Sequence, residues 1–174
     1  MNLTNPRKDG VRATTVLRGL LARGTTIPLP LIELPLYAKF CEAAGFEAVY
    51  LSGDSLSASM LGLPDAGFTT LTEVAQVAGN MAAAVNIPVI VDADTGWGNA
   101  IGVRRTVQTL IRAGAAALQL EDQVSPKRCG FVRGKEVLPL EEAVGKIRSA
   151  ADARDELDRD FVIIARTDIR TAVG

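Results

Sequence analysis

"LIRAGAAALQLED" (residues 110–122) joins a helix end, a glycine and a strand with no spacer between them. Leu110 and Ile111 complete an apolar face whose earlier members, Val103 and Val107, recur at helical spacing. Gly114 stands where a helix C′ glycine belongs. The apolar run that follows ends in two acids, Glu121 and Asp122. Three other stretches repeat the helix end, apolar strand and polar strand end, the first of them also with a glycine, Gly45: "FCEAAGFEAVYLSG" (40–53), "MAAAVNIPVIVDAD" (81–94) and "LDRDFVIIARTD" (157–168). They predict strands at Ala48–Ser52, Val89–Asp94, Ala117–Asp122 and Phe161–Asp168. Each is a near-continuous apolar run, as buried parallel strands require.

The segments between have helical period. Apolar faces run through 71–85, 101–113 and 140–155, the last opening after Pro139. Leu17, Leu20 and Leu21 mark an earlier helix, and "IPLPLIEL" (27–34) a weaker strand, its prolines fitting poorly in a sheet centre. Alternating strands and helices make a parallel α/β sheet. No glycine-rich phosphate loop follows any strand, which disfavours an open nucleotide-binding sheet. Polar residues gather instead at strand C-termini: Ser52, Asp92, Asp94, Glu121, Asp122, Arg166 and Asp168. Barrel enzymes assemble their sites there. The predicted fold is a (β/α)8 TIM-type barrel, of which this chain covers the first five or so strands as a single domain, 1–174. Eight strands are needed to close a barrel. The chain is therefore expected to be part of a longer barrel, or to be completed by a partner.

Composition narrows the function. A net charge of −1 gives no reason to expect nucleic acid or an anionic membrane as partner. No apolar stretch is long enough to span a bilayer. The polar N-terminus, MNLTNPRKDG, lacks a leader's apolar region, and a cytoplasmic location is expected. The chain has no histidine, which removes every mechanism built on an imidazole base. Two isolated cysteines, Cys41 and Cys129, cannot complete a zinc site. Cys41, beside Phe40, reads as core.

In "VDADTGWGN" (91–99), Asp92 and Asp94 are two apart on a strand and point to one side. With Glu121 they make an all-oxygen group suited to Mg²⁺ or Mn²⁺. The same acids also fit turn and helix-cap roles. Trp97, between Gly96 and Gly98, is either packing or substrate wall. In "LEDQVSPKRCGF" (120–131), Lys127 and Arg128 precede Cys129, and Gly130 permits a tight turn. Cations facing a thiol favour its thiolate. Without a histidine partner, proton transfer to carbon suits Cys129 better than nucleophilic attack; a plain surface cysteine is the other reading. Arg166, ending an apolar strand, needs an acid or a substrate carboxylate. "YLSGDSLSASMLGLPD" (50–65) reads as a substrate-facing loop ending in Asp65.

Taken in order, "EAVYLSG", "LGLPDAGFTTLTEV", "VDADTGWGN", "AGAAALQLEDQVSPKRCG", "GKEVLP" and "FVIIARTD" resemble the isocitrate lyase/phosphoenolpyruvate mutase superfamily, in the branch of methylisocitrate lyase and carboxyphosphonoenolpyruvate phosphonomutase. The resemblance implies a barrel, usually tetrameric, with Mg²⁺ at the strand ends and a small carboxylic acid as substrate. By position, Asp92, Asp94 and Glu121 would hold the metal and Asp65 would lie near it. Tyr50, Ser52 and Gly53 would bind the pyruvate-like end and Arg166 a carboxylate. Cys129 would be the acid of the lyase branch, with Lys127, Arg128 and Gly130 around the substrate. The implied reaction is retro-aldol cleavage of a 2-methylisocitrate-like α-hydroxy acid to pyruvate (or glyoxylate) and a dicarboxylate such as succinate, with Tyr50 taking the hydroxyl proton. An oxaloacetate decarboxylase, a phosphonomutase, or an impaired truncated member are the alternatives. The chain departs from the family pattern at Phe131, where KRCGH is usual, and at "LPLIELPLYAKF" (29–40), where the family reads like PGAYDALSA.

Overall fold

Residues 10–172 are described by a computed structural model. The polar N-terminal stretch and the last two positions of the 1–174 domain lie outside the described residues. Five parallel strands pair in chain order: β1 (Leu31–Ile32), β2 (Val49–Leu51), β3 (Val89–Asp92), β4 (Ala117–Glu121) and β5 (Val162–Arg166). A doubly wound sheet would reverse strand order at its switch point. Unbroken sequential pairing is the order of a (β/α)8 barrel wall. Helix α1 (Ala13–Ala22) precedes the sheet; α2 (Pro35–Ala43), α3 (Gly53–Leu56), α4 (Leu71–Ala84), α5 (Ala100–Ala113) and α6 (Leu140–Leu157) make the crossovers, and α7 (Ile169–Ala172) follows β5.

The helix ends follow their local chemistry. Thr70 and Glu73 close a full capping box on α4. Asn99 accepts from the N–H groups of Ile101 and Gly102 at the start of α5, and Gly114 ends it at φ 90°. Strand β3 is shorter than predicted because Asp94 turns left-handed, φ 45°. Pairing nevertheless continues past its end: Ala93 N–H donates to Gln119 O at 2.9 Å and Glu121 N–H to Asp94 O at 2.9 Å. The segment read as a loop at 50–65 is largely helical. Ser52 Oγ accepts from Ser55 N–H at 3.3 Å and starts α3, which runs into a π-helical turn at Ser57–Leu61. The weak β1 is the two-residue edge strand its prolines allow.

Alternation divides the sheet. Val49, Leu51, Val89, Val91, Leu118 and Leu120 pack with Val103, Val107, Leu110 and Met81 of the covering helices. Cys41 packs against this core, as the sequence implies. The other face carries Ile90, Ala117 and Val162 at its base, where Leu17 and Leu20 of α1 plug it. Arg12 and Thr14 tie that plug to the turn before β5, at 2.6 and 2.8 Å from Asp158. One end of this second face is closed by apolar packing, so its polar residues collect at the other, the strand C-termini. Among the described residues no helix is long and apolar enough to cross a membrane.

Gly96 is fixed twice, by φ 84° and by Val103 and Leu120, whose methyls would lie 2.6 and 2.8 Å from an added Cβ. Gly96→Ala is expected to cost about 3 kcal/mol. Gly145→Ala in α6, where nothing lies within 4 Å, should stabilise by about 0.5–1 kcal/mol. Urea titration of both variants checks the pair.

Candidate active site

Each strand places its last residues on the open end of the second face. At the end of β2, Tyr50 donates to Asp92, and Gly53 N–H donates to Asp92 Oδ2 at 3.4 Å. At the end of β3, Asp92 Oδ1 also accepts from Asp94 N–H at 3.2 Å, so one carboxylate braces two strand ends. Lys127 is 5% exposed and puts its ammonium on Asp65 and on Asp94, the latter at 2.9 Å. Arg166, at the end of β5, bridges Glu121 at 3.2 Å and Asp168 at 3.1 Å. Four carboxylates thus share two cations, and Asp92 stands beside them without an ion pair of its own among the described residues.

Burial sets the charge balance. It pushes Glu121 up to about 7 against the pull of Arg166 and Lys127. Asp94 rises to about 6, also through burial, with Lys127 opposing. Tyr50 is raised well above the usual phenol range, chiefly by burial and then by Asp92. That direction favours the neutral phenol at Tyr50 and weighs against its expected role as proton acceptor.

A connection between β4 and α6 folds over these strand ends. Its base is a short antiparallel hairpin, with Val124 N–H on Glu136 O and Leu138 N–H on Asp122 O, both 2.8 Å. At its tip, Lys135 Nζ donates to Gly130 O at 2.5 Å and to Val132 O at 2.9 Å. The tip rests on β5: a Cβ at Gly130 would stand 2.5 Å from the Arg166 guanidinium. Beneath lies a cleft of about 480 Å³ lined by Tyr50, Ser52, Asp65, Asp92, Lys127, Cys129, Gly130 and Arg166, with Leu29, Leu31 and Phe131 on its rim.

The structure therefore brings eight of the sequence-selected residues to one cavity and leaves others out. Gly53, Asp94 and Glu121 are buried and are not among its lining residues. Arg128 is corrected: its guanidinium lies by Gly134, and the residue lines a separate groove with Phe68 and Glu136. The cations flanking Cys129 in sequence are thus directed to other partners. Trp97 donates to Thr69 O at 2.8 Å and packs on the core, so it is packing and not substrate wall.

The donor chemistry fits a hard divalent cation in part. Asp92 and Asp94 each set an oxygen 3.3 Å from the point where a side chain on Gly53 would begin, so only glycine leaves that space free. Asp94 Oδ1 and both Glu121 oxygens are buried without an aligned hydrogen bond. Two carboxylates with water completing the shell suit Mg²⁺. The expected cage of Asp92, Asp94 and Glu121 does not close, however. Among the described residues no three acidic or thiol side chains converge to hold an ion. Lys127 draws Asp94 to one side and Arg166 draws Glu121 to the other, which leaves Asp92 and Asp94 as the candidate ligands.

Asp54 of α3, which lines the cleft, and three further residues escaped the sequence reading. Gln119 reaches the cleft from mid-β4. Gln123 and Lys135 are buried in the connection, where they hold its backbone. The lone amide in "ALQLE" was a usable signal for Gln119; nothing local marks Gln123 or Lys135.

The phosphoenolpyruvate phosphomutase family model matches residues 17–172. A 2,3-dimethylmalate lyase of Eubacterium barkeri is 47% identical over 91% of this chain and 54% of its own length. A 2-methylisocitrate lyase of Aeropyrum pernix is 47% identical over 94% of this chain and 51% of its own. Among solved structures, 2,3-dimethylmalate lyase, described as a PEP mutase/isocitrate lyase superfamily member, superposes at TM-score 0.89 with 39% identity, covering 94% of this chain and 55% of that one. Phosphonopyruvate hydrolase in complex with oxalate and Mg²⁺ gives 0.82 with 38% identity, over 91% and 53%. The chain spans about half the length of the relatives it matches. With residues 17–172 matched, the chain belongs to the phosphoenolpyruvate phosphomutase family of the PEP mutase/isocitrate lyase superfamily, a group of lyases and mutases.

Proposed function

We propose that the protein is a Mg²⁺-dependent carbon–carbon lyase acting on a 2-methylisocitrate-like α-hydroxy acid, with pyruvate (or glyoxylate) and a dicarboxylate as products. The observation that carries this reading is the seating of the Cys129–Gly130 turn against Arg166 over a cleft lined by carboxylates. Arg166 has guanidinium N–H groups beyond its two acid partners for a substrate carboxylate. Ser52 Oγ, already an acceptor, keeps its O–H to donate to the same molecule. Asp92, oriented by Tyr50 and Gly53, is the cleft carboxylate that takes the α-hydroxyl proton. The carbon–carbon bond then breaks, and its electron pair stays on the carbon next to the leaving carboxylate. Cys129, across the cleft, delivers a proton to that carbon. Mg²⁺ held by Asp94 and, through water, by Asp92 would polarise the substrate oxygen and lower the hydroxyl's pKa. The apolar rim of Leu29, Leu31 and Phe131 favours a substrate with an alkyl branch.

Relatives at 47% identity include two named as lyases of branched acids and one named as a phosphorylmutase, so the choice of lyase chemistry rests on Cys129 in the cleft. A cytoplasmic homo-oligomer, a tetramer by resemblance, is the proposed assembly.

Cys129→Ser should lower kcat by roughly 10²–10⁴, a hydroxyl being a far weaker acid than a thiol. EDTA should abolish pyruvate release in a coupled assay. Activity indifferent to both would refute the reading.

Gly130→Ala forces the turn off Arg166, so KM for the carboxylate substrate should rise about tenfold or more. Initial-rate kinetics read this directly.

Glu121 and Asp94 are raised above the ordinary carboxylate range, so folding takes up protons. Their contribution to stability is full below about pH 4 and is lost as pH rises through about 6 and about 7. In EDTA, Tm should fall by roughly 5 °C between pH 5 and 8, and Mg²⁺ at pH 8 should recover it. Calorimetry of the wild type beside Glu121→Gln, in which the slope shrinks, tests the assignment.

A further inference from the structure

Gln123 is 1% exposed, and its amide is nearly saturated inside the connection. Its Oε1 accepts from Arg128 N–H at 3.0 Å, and its Nε2 donates to Arg128 O at 3.0 Å. The same Nε2 donates to Asp168 Oδ2 at 3.0 Å. The other oxygen of Asp168 accepts from Arg166 at 3.1 Å. Asp168 is itself held by its backbone, whose N–H donates to Asp122 Oδ1 at 2.9 Å. One carboxylate is therefore divided between the cation that meets the substrate and the amide that meets the backbone immediately before Cys129.

We propose that Gln123 is a positioning residue that fixes the Cys129–Gly130 turn against Arg166 by bridging the turn's backbone to Asp168. The proposal rests on the reading of Cys129 as proton donor. The turn has two other attachments. Lys127 draws it toward β2 and β3 through Asp65 and Asp94, and Lys135 closes its tip internally. Neither sets its distance from β5. An apolar side chain would fill the volume of Gln123 but leave the Arg128 N–H and C=O without partners, so the turn would be released at its Cys129 side. The amide is thus required by where the thiol must stand, and not by packing alone.

The test is alkylation of the folded full chain by iodoacetamide, followed by peptide mass spectrometry. Cys41, packed on the core, serves as internal reference. Gln123→Met keeps the length and deletes the hydrogen bonds. It should raise the Cys129 rate about tenfold or more, the factor carried by one or two buried hydrogen bonds, with Cys41 unchanged. Asp168→Asn keeps an oxygen for the Gln123 amide but removes the charge from Arg166. It should leave Cys129 labelling within about twofold of wild type and raise KM instead. In kinetics with 2-methylisocitrate, Gln123→Met should lower kcat about tenfold with KM within about twofold, as expected when geometry at the reacting atoms is lost and binding is not. If Gln123→Met fails to fold, Gln123→Asn, one methylene too short to bridge, carries the same expectations. Equal acceleration at both cysteines would mean general loosening and would overturn the proposal, as would an unchanged Cys129 rate in a folded variant. If the labelling pattern holds while the wild type turns over no hydroxy acid, the lyase reading fails and the clamp stands.

Discussion

Lys127 and Arg166 are the two cations that pair with Asp65, Asp94, Glu121 and Asp168, and the open end of the sheet depends on them. Parallel strands that end together bring their terminal acids together, whatever the acids' mutual repulsion. Burial raises the cost of every charge left without a partner. Arg166 answers this from within the sheet. Lys127 can do so only because the β4–α6 connection folds back over the strand ends. The cover of the cleft and the neutralisation of its floor are therefore one event. Burial still holds Asp94 and Glu121 above the ordinary carboxylate range against the pull of these cations. A divalent ion would add to that pull.

The same connection brings the thiol. Cys129 reaches the cleft because Lys127 anchors the connection on one side, Gln123 and Asp168 hold it on the other, and Gly130 has no Cβ to meet Arg166. Floor and cover are thus joined by Gln123 and Lys127, two side chains near the start of one segment. The apolar plug of α1 closes the far end of the same sheet face and confines polar chemistry to the strand C-termini.

Much of this was legible in residue order. Helix spans, strand centres, the parallel class and the barrel order follow from apolar period and punctuation by glycine, because these depend on neighbours within a turn or two. The site was legible as a set of strand-end residues, and Tyr50, Ser52, Asp65, Asp92, Lys127, Cys129, Gly130 and Arg166 do meet in one cleft. Its pairings were not legible. The sequence presents Lys127 and Arg128 alike beside Cys129, yet one is buried among acids and the other lies in a separate groove. Asp92, Asp94 and Glu121 read as one cage, yet two of them are drawn apart by cations that lie far away in the chain. Tyr50 reads as a base, whereas burial and then Asp92 favour its neutral phenol.

By itself, then, the sequence determined the parallel α/β class, the chain-order pairing of five strands and the end of the sheet at which acids, thiol and guanidinium would collect. Only the tertiary structure decided which acid faces which cation, which polar groups lie outside the cleft lining, and that Gln123 ties Cys129 to β5. The reason is range. Backbone period and turn chemistry are settled between residues a few positions apart, whereas the state of a buried charge depends on everything packed within reach of it, including side chains brought from Asp65 to Asp168 by the fold alone.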